Sequence, residues 1–163
     1  MRENPSIVEA DFGRSDHQEA VLKLLAAYTA DFMAGDAPSS SGVGGYVLPH
    51  LRDDPKVLTL LAFVESKAVG IAICFRGFSE VADLPLLIIS DFFVLPEHRG
   101  HGIGGQMLVS VEDLAHQLDC PRLNLKVKAE NHRALRLYET AGFLRTVSQE
   151  EMTGVICLEK ILV

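Results

Sequence analysis

A chain of 163 residues has the length of one domain, expected to span residues 1–163 and to support a single core. Apolar residues at 48%, charged residues at 23% and the lack of any repeat or biased tract exclude disordered, collagenous and coiled-coil classes. The net charge of −7 repels phosphate backbones and anionic head groups, which argues against nucleic acid and membrane as partners. No run reaches the roughly 18 apolar residues that cross a bilayer, and no apolar segment stands behind Arg2 as a leader would require. Cys74, Cys120 and Cys157 are odd in number and far apart, and they read as reduced, mostly buried thiols of a cytoplasmic protein. The six histidines are scattered along the chain and none joins a cysteine at zinc spacing, so no metal site is expected.

Ser6 to Asp11 reads as a first strand, and Asp16 followed by Glu19 has capping-box spacing for a helix with a stripe of Val21, Leu22, Leu25, Tyr28 and Phe32. In Ala34 to Tyr46, eight of thirteen residues are Gly, Ser or Pro, which predicts a mobile loop. An ordinary solvated loop and a flap over a substrate mouth both fit that composition. Val57 to Val64 and Ala68 to Phe75 read as a hairpin closed around Glu65, Ser66 and Lys67, and Leu84 to Val94 reads as a central strand.

From Ile103, the positions Met107, Leu108, Val111, Leu114, Ala115 and Leu118 recur at helical spacing until Pro121. Arg122 to Val127 alternates as a strand, and Asn131 opens a helix with a stripe of Ala134, Leu135, Tyr138 and Ala141. Gly142 stands just past that helix, and Phe143 to Val147 and Gly154 to Val163 supply closing strands. The order β-α-(α)-β-β-β-α-β-α-β-β is a single-sheet α/β fold.

The segment from Val94 to Gly105 runs from a strand end through a glycine-rich turn into a helix. Gly100, Gly102 and Gly104 leave backbone N–H groups uncovered, and the helix adds its own unpaired N–H groups and positive dipole end, a cradle for phosphate oxygens. Gly100, Gly102 and Gly105 also spell GxGxxG, but Leu95 to Arg99 intervene after the strand and too little chain follows for a doubly wound sheet. No Gly-Lys-Ser/Thr follows, so a Walker loop is excluded.

Arg99-Gly-His-Gly-Ile-Gly104 has the form Arg/Gln-x-x-Gly-x-Gly/Ala, and here the chain resembles the GNAT (Gcn5-related) N-acetyltransferase superfamily. A second element, Asn131-x-x-Ala134-x-x-Leu137-Tyr138-x-x-x-Gly142-Phe143, is similar to that family's other cofactor segment. The stretch from Ser90 to Gly100 also resembles the matching segment of diamine (spermidine/spermine) acetyltransferases.

The resemblance implies a mixed, mostly antiparallel sheet flanked by helices, with splayed central strands, and acetyl-CoA as co-substrate. It implies that backbone groups of Phe92, Phe93 and Val94 meet the pantetheine arm, with the Val94 N–H as oxyanion donor. Arg99, Gly100, His101, Gly102, Ile103, Gly104 and Gly105 would hold the pyrophosphate, with the Arg99 guanidinium pairing a phosphate. Asn131 would touch the pantetheine arm, or act as a plain helix N-cap, or both. Tyr138 holds the place of the general acid, against a packing role in the helix stripe. Ser90 stands where the diamine enzymes carry a glutamate, which leaves three routes for the ammonium proton: Asp91 as the nearest carboxylate, a water relay to a more distant carboxylate or histidine, or an amine that arrives already deprotonated. Strand alternation, however, turns Asp91 away from the Ser90 and Phe92 face.

The acceptor implied is a small-molecule or peptide amine attacked directly in a ternary complex. A non-catalytic acyl-CoA-binding or sensing module is the alternative that Ser90 leaves open. The apolar end Ile161-Leu162-Val163 permits a homodimer. From His98 to Arg136 the net charge is +2 and over the remainder it is −9, so the near-neutral part suits an anionic cofactor and the acidic part a cationic acceptor.

Overall fold

A computed structural model describes residues 4–32, 45–146 and 154–163. Residues 34–44 of the Gly/Ser/Pro-rich segment and Val147 of the predicted closing strand lie outside the described residues. The described residues contain β1 (Ser6–Glu9), α1 (Ser15–Phe32), α2 (Val47–Asp53), β2 (Val57–Val64), β3 (Lys67–Ser79), β4 (Leu84–Val94), α3 (Ile103–Gln117), β5 (Arg122–Lys128), α4 (His132–Thr140), β6 (Leu144–Arg145) and β7 (Val155–Ile161). The strands are ordered β1-β2-β3-β4-β5-β7-β6, mostly antiparallel, in the mixed sheet that the resemblance implies.

By compactness the chain divides into one unit of Met1–Ile73 with Asp91–Met107 and another of Cys74–Ser90 with Leu108–Val163. In the first unit, β1 lies antiparallel to β2, with Ser6 opposite Phe63 and Glu9 opposite Leu60. The turn from β2 to β3 needs two residues, Glu65 and Ser66, both at positive φ (49° and 69°), the twist that lets a tight hairpin match its strands. Val21, Leu24, Leu61, Val69, Ile71, Ile103 and Met107 are fully buried in this unit. Gly70 lets β3 and α3 approach: a Cβ there would stand 2.7 Å from Met107 Sδ and 3.3 Å from Ala62 Cβ.

In the second unit β4 and β5 pair in parallel, Leu87–Ile89 against Leu123–Leu125. Three rungs in strands of eleven and seven residues are the short pairing expected of splayed strands. β5 then pairs antiparallel with β7 along its whole length, from Arg122 opposite Ile161 to Lys128 opposite Val155. Two helices here end in the same hydrogen-bond pattern. At α3, Cys120 N–H donates to Ala115 and Asp119 N–H to His116, with Asp119 at φ 55°. At α4, Phe143 N–H donates to Tyr138 and Gly142 N–H to Glu139, with Gly142 at φ 97°. These are Schellman closures, and Pro121 and Gly142 are the residues that announce them in the sequence. Lys160 of β7 completes the end of α4 by donating from Nζ to the Ala141 carbonyl at 2.7 Å while also pairing with Glu112 of α3.

Several predicted boundaries shift. α1 begins at Ser15, and Asp16 is spent on the Arg14 guanidinium and on the neighbouring His17 N–H, so it does not act as the cap of a capping box. The buried stripe of α1 runs through His17, Ala20, Val21 and Leu24, with Leu22, Leu25 and Tyr28 only half-buried. β3 continues to Ser79 and β6 shrinks to Leu144–Arg145, because strand ends are set by partners that periodicity does not show. No helix of the described residues is long and apolar enough to cross a membrane.

Two substitutions test this packing. Gly70→Val displaces Met107 and presses on Ala62, and is expected to cost about 1–3 kcal/mol in urea denaturation. Gly142→Ala places a Cβ at positive φ and 3.2 Å from Lys160 Cε, with an expected loss of about 1–2 kcal/mol in the same measurement.

Candidate functional site

The residues expected to carry chemistry fall in both units: Asp91 to Gly105 in the first, Asn131 and Tyr138 in the second. In the first unit, β4 ends at Val94 and the chain makes one 3-10 turn, Pro96–His98, closed by His98 N–H to the Leu95 carbonyl and Arg99 N–H to the Pro96 carbonyl. Proline at the turn's start removes a donor that would have no partner there. The peptide joining Val94 to Leu95 is held on both sides. Its N–H donates to the Val69 carbonyl at 2.9 Å, and its carbonyl accepts from Arg99 Nε at 2.9 Å.

Gly100 and Gly102 follow at φ 80° and 86°, a region that a side chain makes costly, and their alternation with His101 turns the backbone into α3. Gln106 N–H donates to the Gly102 carbonyl, so the helix starts with Ile103, Gly104 and Gly105 as its first turn. Helix geometry gives the N–H groups of such a first turn no carbonyl one turn back. Ile103 is 1% exposed and anchors the turn from beneath, contributing backbone and no side chain to the surface. A Cβ at Gly100 or Gly105 would meet nothing within 4 Å, so the space over these two residues is open. Successive N–H groups, open space and a helix dipole fit a bound diphosphate.

The Arg99 side chain, which the resemblance implies for a phosphate, has three contacts within the unit. Its Nη2 pairs with Asp31 Oδ2 of α1 at 3.0 Å, its Nε is taken by Val94, and its Cζ lies 5.5 Å from the centre of the Phe93 ring. With only 19% of its side chain exposed, the guanidinium is built into the unit. Phe93 is buried and stacks on Tyr28 with ring centres 5.2 Å apart at 17°. The Phe93 ring is therefore taken up in packing within the unit. Phe92 and His101 are half-buried.

Burial, then the charges of Asp91 and Asp31, push the Tyr28 phenol above its ordinary value. By strand alternation Asp91 shares the side of β4 that carries Phe93. Tyr28 and Asp31 escaped the sequence reading as site-forming residues. Their spacing of three on α1 puts them on one face, but only the contacts with Phe93 and Arg99 show what that face meets.

In the second unit, Asn131 is the N-cap of α4, its Oδ1 accepting from Ala134 N–H at 3.2 Å. Tyr138 is 6% exposed and meets Phe143 edge to face, ring centres 5.8 Å apart. The same pair forms the hydrophobic contact of the α4 closure, so ring and backbone of Tyr138 are held together. Cys120 is buried, and that burial raises its thiol against the opposing charge of Arg76, which suits packing and not nucleophilic work.

Residues 22–143 match the Acetyltransferase (GNAT) family. The chain is 29% identical over 120 residues to the uncharacterized N-acetyltransferase YhfO of Bacillus subtilis (strain 168), covering 74% of this chain and 76% of that one. It is 38% identical over 56 residues to the thialysine N-epsilon-acetyltransferase of Bos taurus, a match of 34% of this chain that spans about a third (33%) of the bovine enzyme. In fold it is similar to the PaiA N-acetyltransferase of Thermoplasma acidophilum, crystallised in complex with coenzyme A: TM-score 0.71, 14% identity, 97% of this chain and 99% of that chain covered. With three quarters of its length matched and the expected fold in place, the chain belongs to the GNAT acetyltransferase family.

Proposed function

We propose that the chain works as one acetyltransferase domain that moves an acetyl group from acetyl-CoA to a primary amine by direct attack in a ternary complex. The observation that carries this reading is the open glycine turn, with Gly100 and Gly102 at positive φ immediately before the first turn of α3. When bound, acetyl-CoA supplies the acetyl group as an activated thioester. The N–H groups of the turn and of Ile103, Gly104 and Gly105 hold the pyrophosphate. His101 stands beside them as a further donor.

The backbone of Phe92, Phe93 and Val94 aligns the pantetheine arm, and the Val94 N–H donates to the thioester oxygen as negative charge builds there. Asn131, oriented by its cap bond, offers its amide to the same arm. The amine nitrogen attacks the carbonyl carbon, the carbon–sulfur bond breaks, and the Tyr138 hydroxyl protonates the departing sulfur. Asp91 takes the ammonium proton, a role that Ser90 cannot fill because a hydroxyl does not hold a proton from an ammonium group near neutral pH. The thialysine enzyme among the relatives and the acidic remainder of this chain both favour a cationic amine as acceptor.

Ser90 also supports a second reading, an acyl-CoA-binding module without turnover. Thiol release from acetyl-CoA across a panel of amines separates the two. Amine-dependent release is expected, and Tyr138→Phe is expected to lower kcat roughly 10²-fold with little change in the KM for acetyl-CoA. Tight acetyl-CoA binding without amine-dependent release would leave the sensing module standing. Gly102→Val forces a branched side chain to positive φ and is expected to weaken coenzyme A binding by about tenfold or more. Its circular dichroism should stay unchanged; full binding by this variant contradicts the cradle.

A further inference from the structure

Asp31 is the penultimate residue of α1, and the last turn of that helix contains no basic residue. A carboxylate there faces the negative end of the helix dipole and destabilises it unless a cation stands beside it. The cation is Arg99, 68 residues further along the chain. Its two remaining contacts explain what the pair does. Nε holds the Val94 carbonyl at the end of β4, and the guanidinium plane sits near the Phe93 ring, which in turn stacks on Tyr28 of the same helix. A guanidinium engaged on both sides in this way has little freedom to swing toward a ligand.

We infer that Asp31 is a positioning residue for the anion-binding turn: by fixing Arg99 on the Val94 carbonyl it sets the shape in which the Gly100–Gly105 backbone receives a diphosphate. The turn's N–H groups, not the guanidinium, then carry the recognition. The inference rests on the cofactor assignment made above and predicts a sign. If Arg99 served a phosphate directly, Asp31 would only compete for it, and removing the carboxylate would tighten anion binding. If Asp31 positions the turn, removing it weakens binding even though a repelling negative charge has gone.

The experiment is a calorimetric titration of the full chain with coenzyme A, coupled to amide hydrogen exchange of the free protein. Asp31→Asn is expected to weaken coenzyme A about tenfold and to speed exchange across residues 99–106, with exchange in β5 and β7 unchanged. Asp31→Glu is expected to recover part of both. Arg99→Ala is expected to weaken binding at least as far, and the double variant to add nothing to Arg99→Ala. Arg99→Lys, which keeps the charge but cannot serve Val94 and Asp31 together, is a second arm in case Asp31→Asn folds poorly; the same loss is expected. Unchanged or tighter binding by Asp31→Asn, with unchanged exchange at the turn, overturns the proposal while the cofactor reading stands. A wild-type chain that fails to bind coenzyme A overturns both.

Discussion

One peptide unit, between Val94 and Leu95, fixes the end of β4. Its N–H is spent on the Val69 carbonyl of β3 and its carbonyl on Arg99, so the plane cannot rotate without breaking two hydrogen bonds. From that fixed plane the chain has four residues, Leu95 to His98, before Arg99 must return to bond Val94. A proline-led 3-10 turn supplies that return. The positive-φ glycines then carry the backbone to Ile103, whose burial, with that of Met107, seats α3 on Gly70 of β3. Turn and helix terminus hold their shape because each end is anchored in the core.

Stacking and charge extend this anchor to α1. Tyr28 lies on Phe93 and Asp31 on Arg99, one pair apolar and one ionic, three residues apart on the same helix. The Arg99 ion pair is partly shielded from water, and its second hydrogen bond gives it a defined geometry. Such pairs contribute more than an exposed one such as Arg52 with Asp53, whose worth is small and screened by salt. A residue recognised by its place in a ligand-binding motif thus also has a structural occupation.

The second unit solves a related problem by closing a helix. α4 is nine residues long, too short to persist without its ends satisfied. Asn131 closes one end, and Gly142, Phe143 and Lys160 close the other, which leaves Tyr138 with a fixed backbone and a ring held by Phe143. The residues proposed for chemistry are the ones that the helix closure immobilises, and immobility is what a proton donor needs to stay in reach of its target.

Periodicity and punctuation by themselves determined β2, β4 and α3, the stops near Pro121 and Gly142, and the two spaced motifs that mark the family. These signals depend on a few neighbouring residues, such as a Gly that tolerates positive φ or a Pro that cannot continue a helix, and so they are legible in one dimension. They do not say what a side chain meets. The length of β3, the narrow β4 and β5 ladder, the cap that Lys160 places on α4 and the partner of Arg99 were decided by packing between segments far apart in the chain. The charge of Arg99 was plain in the sequence, but its direction was not. A guanidinium beside a glycine turn has several partners open to it, and only the tertiary structure shows that Asp31 stands within 3.0 Å of it.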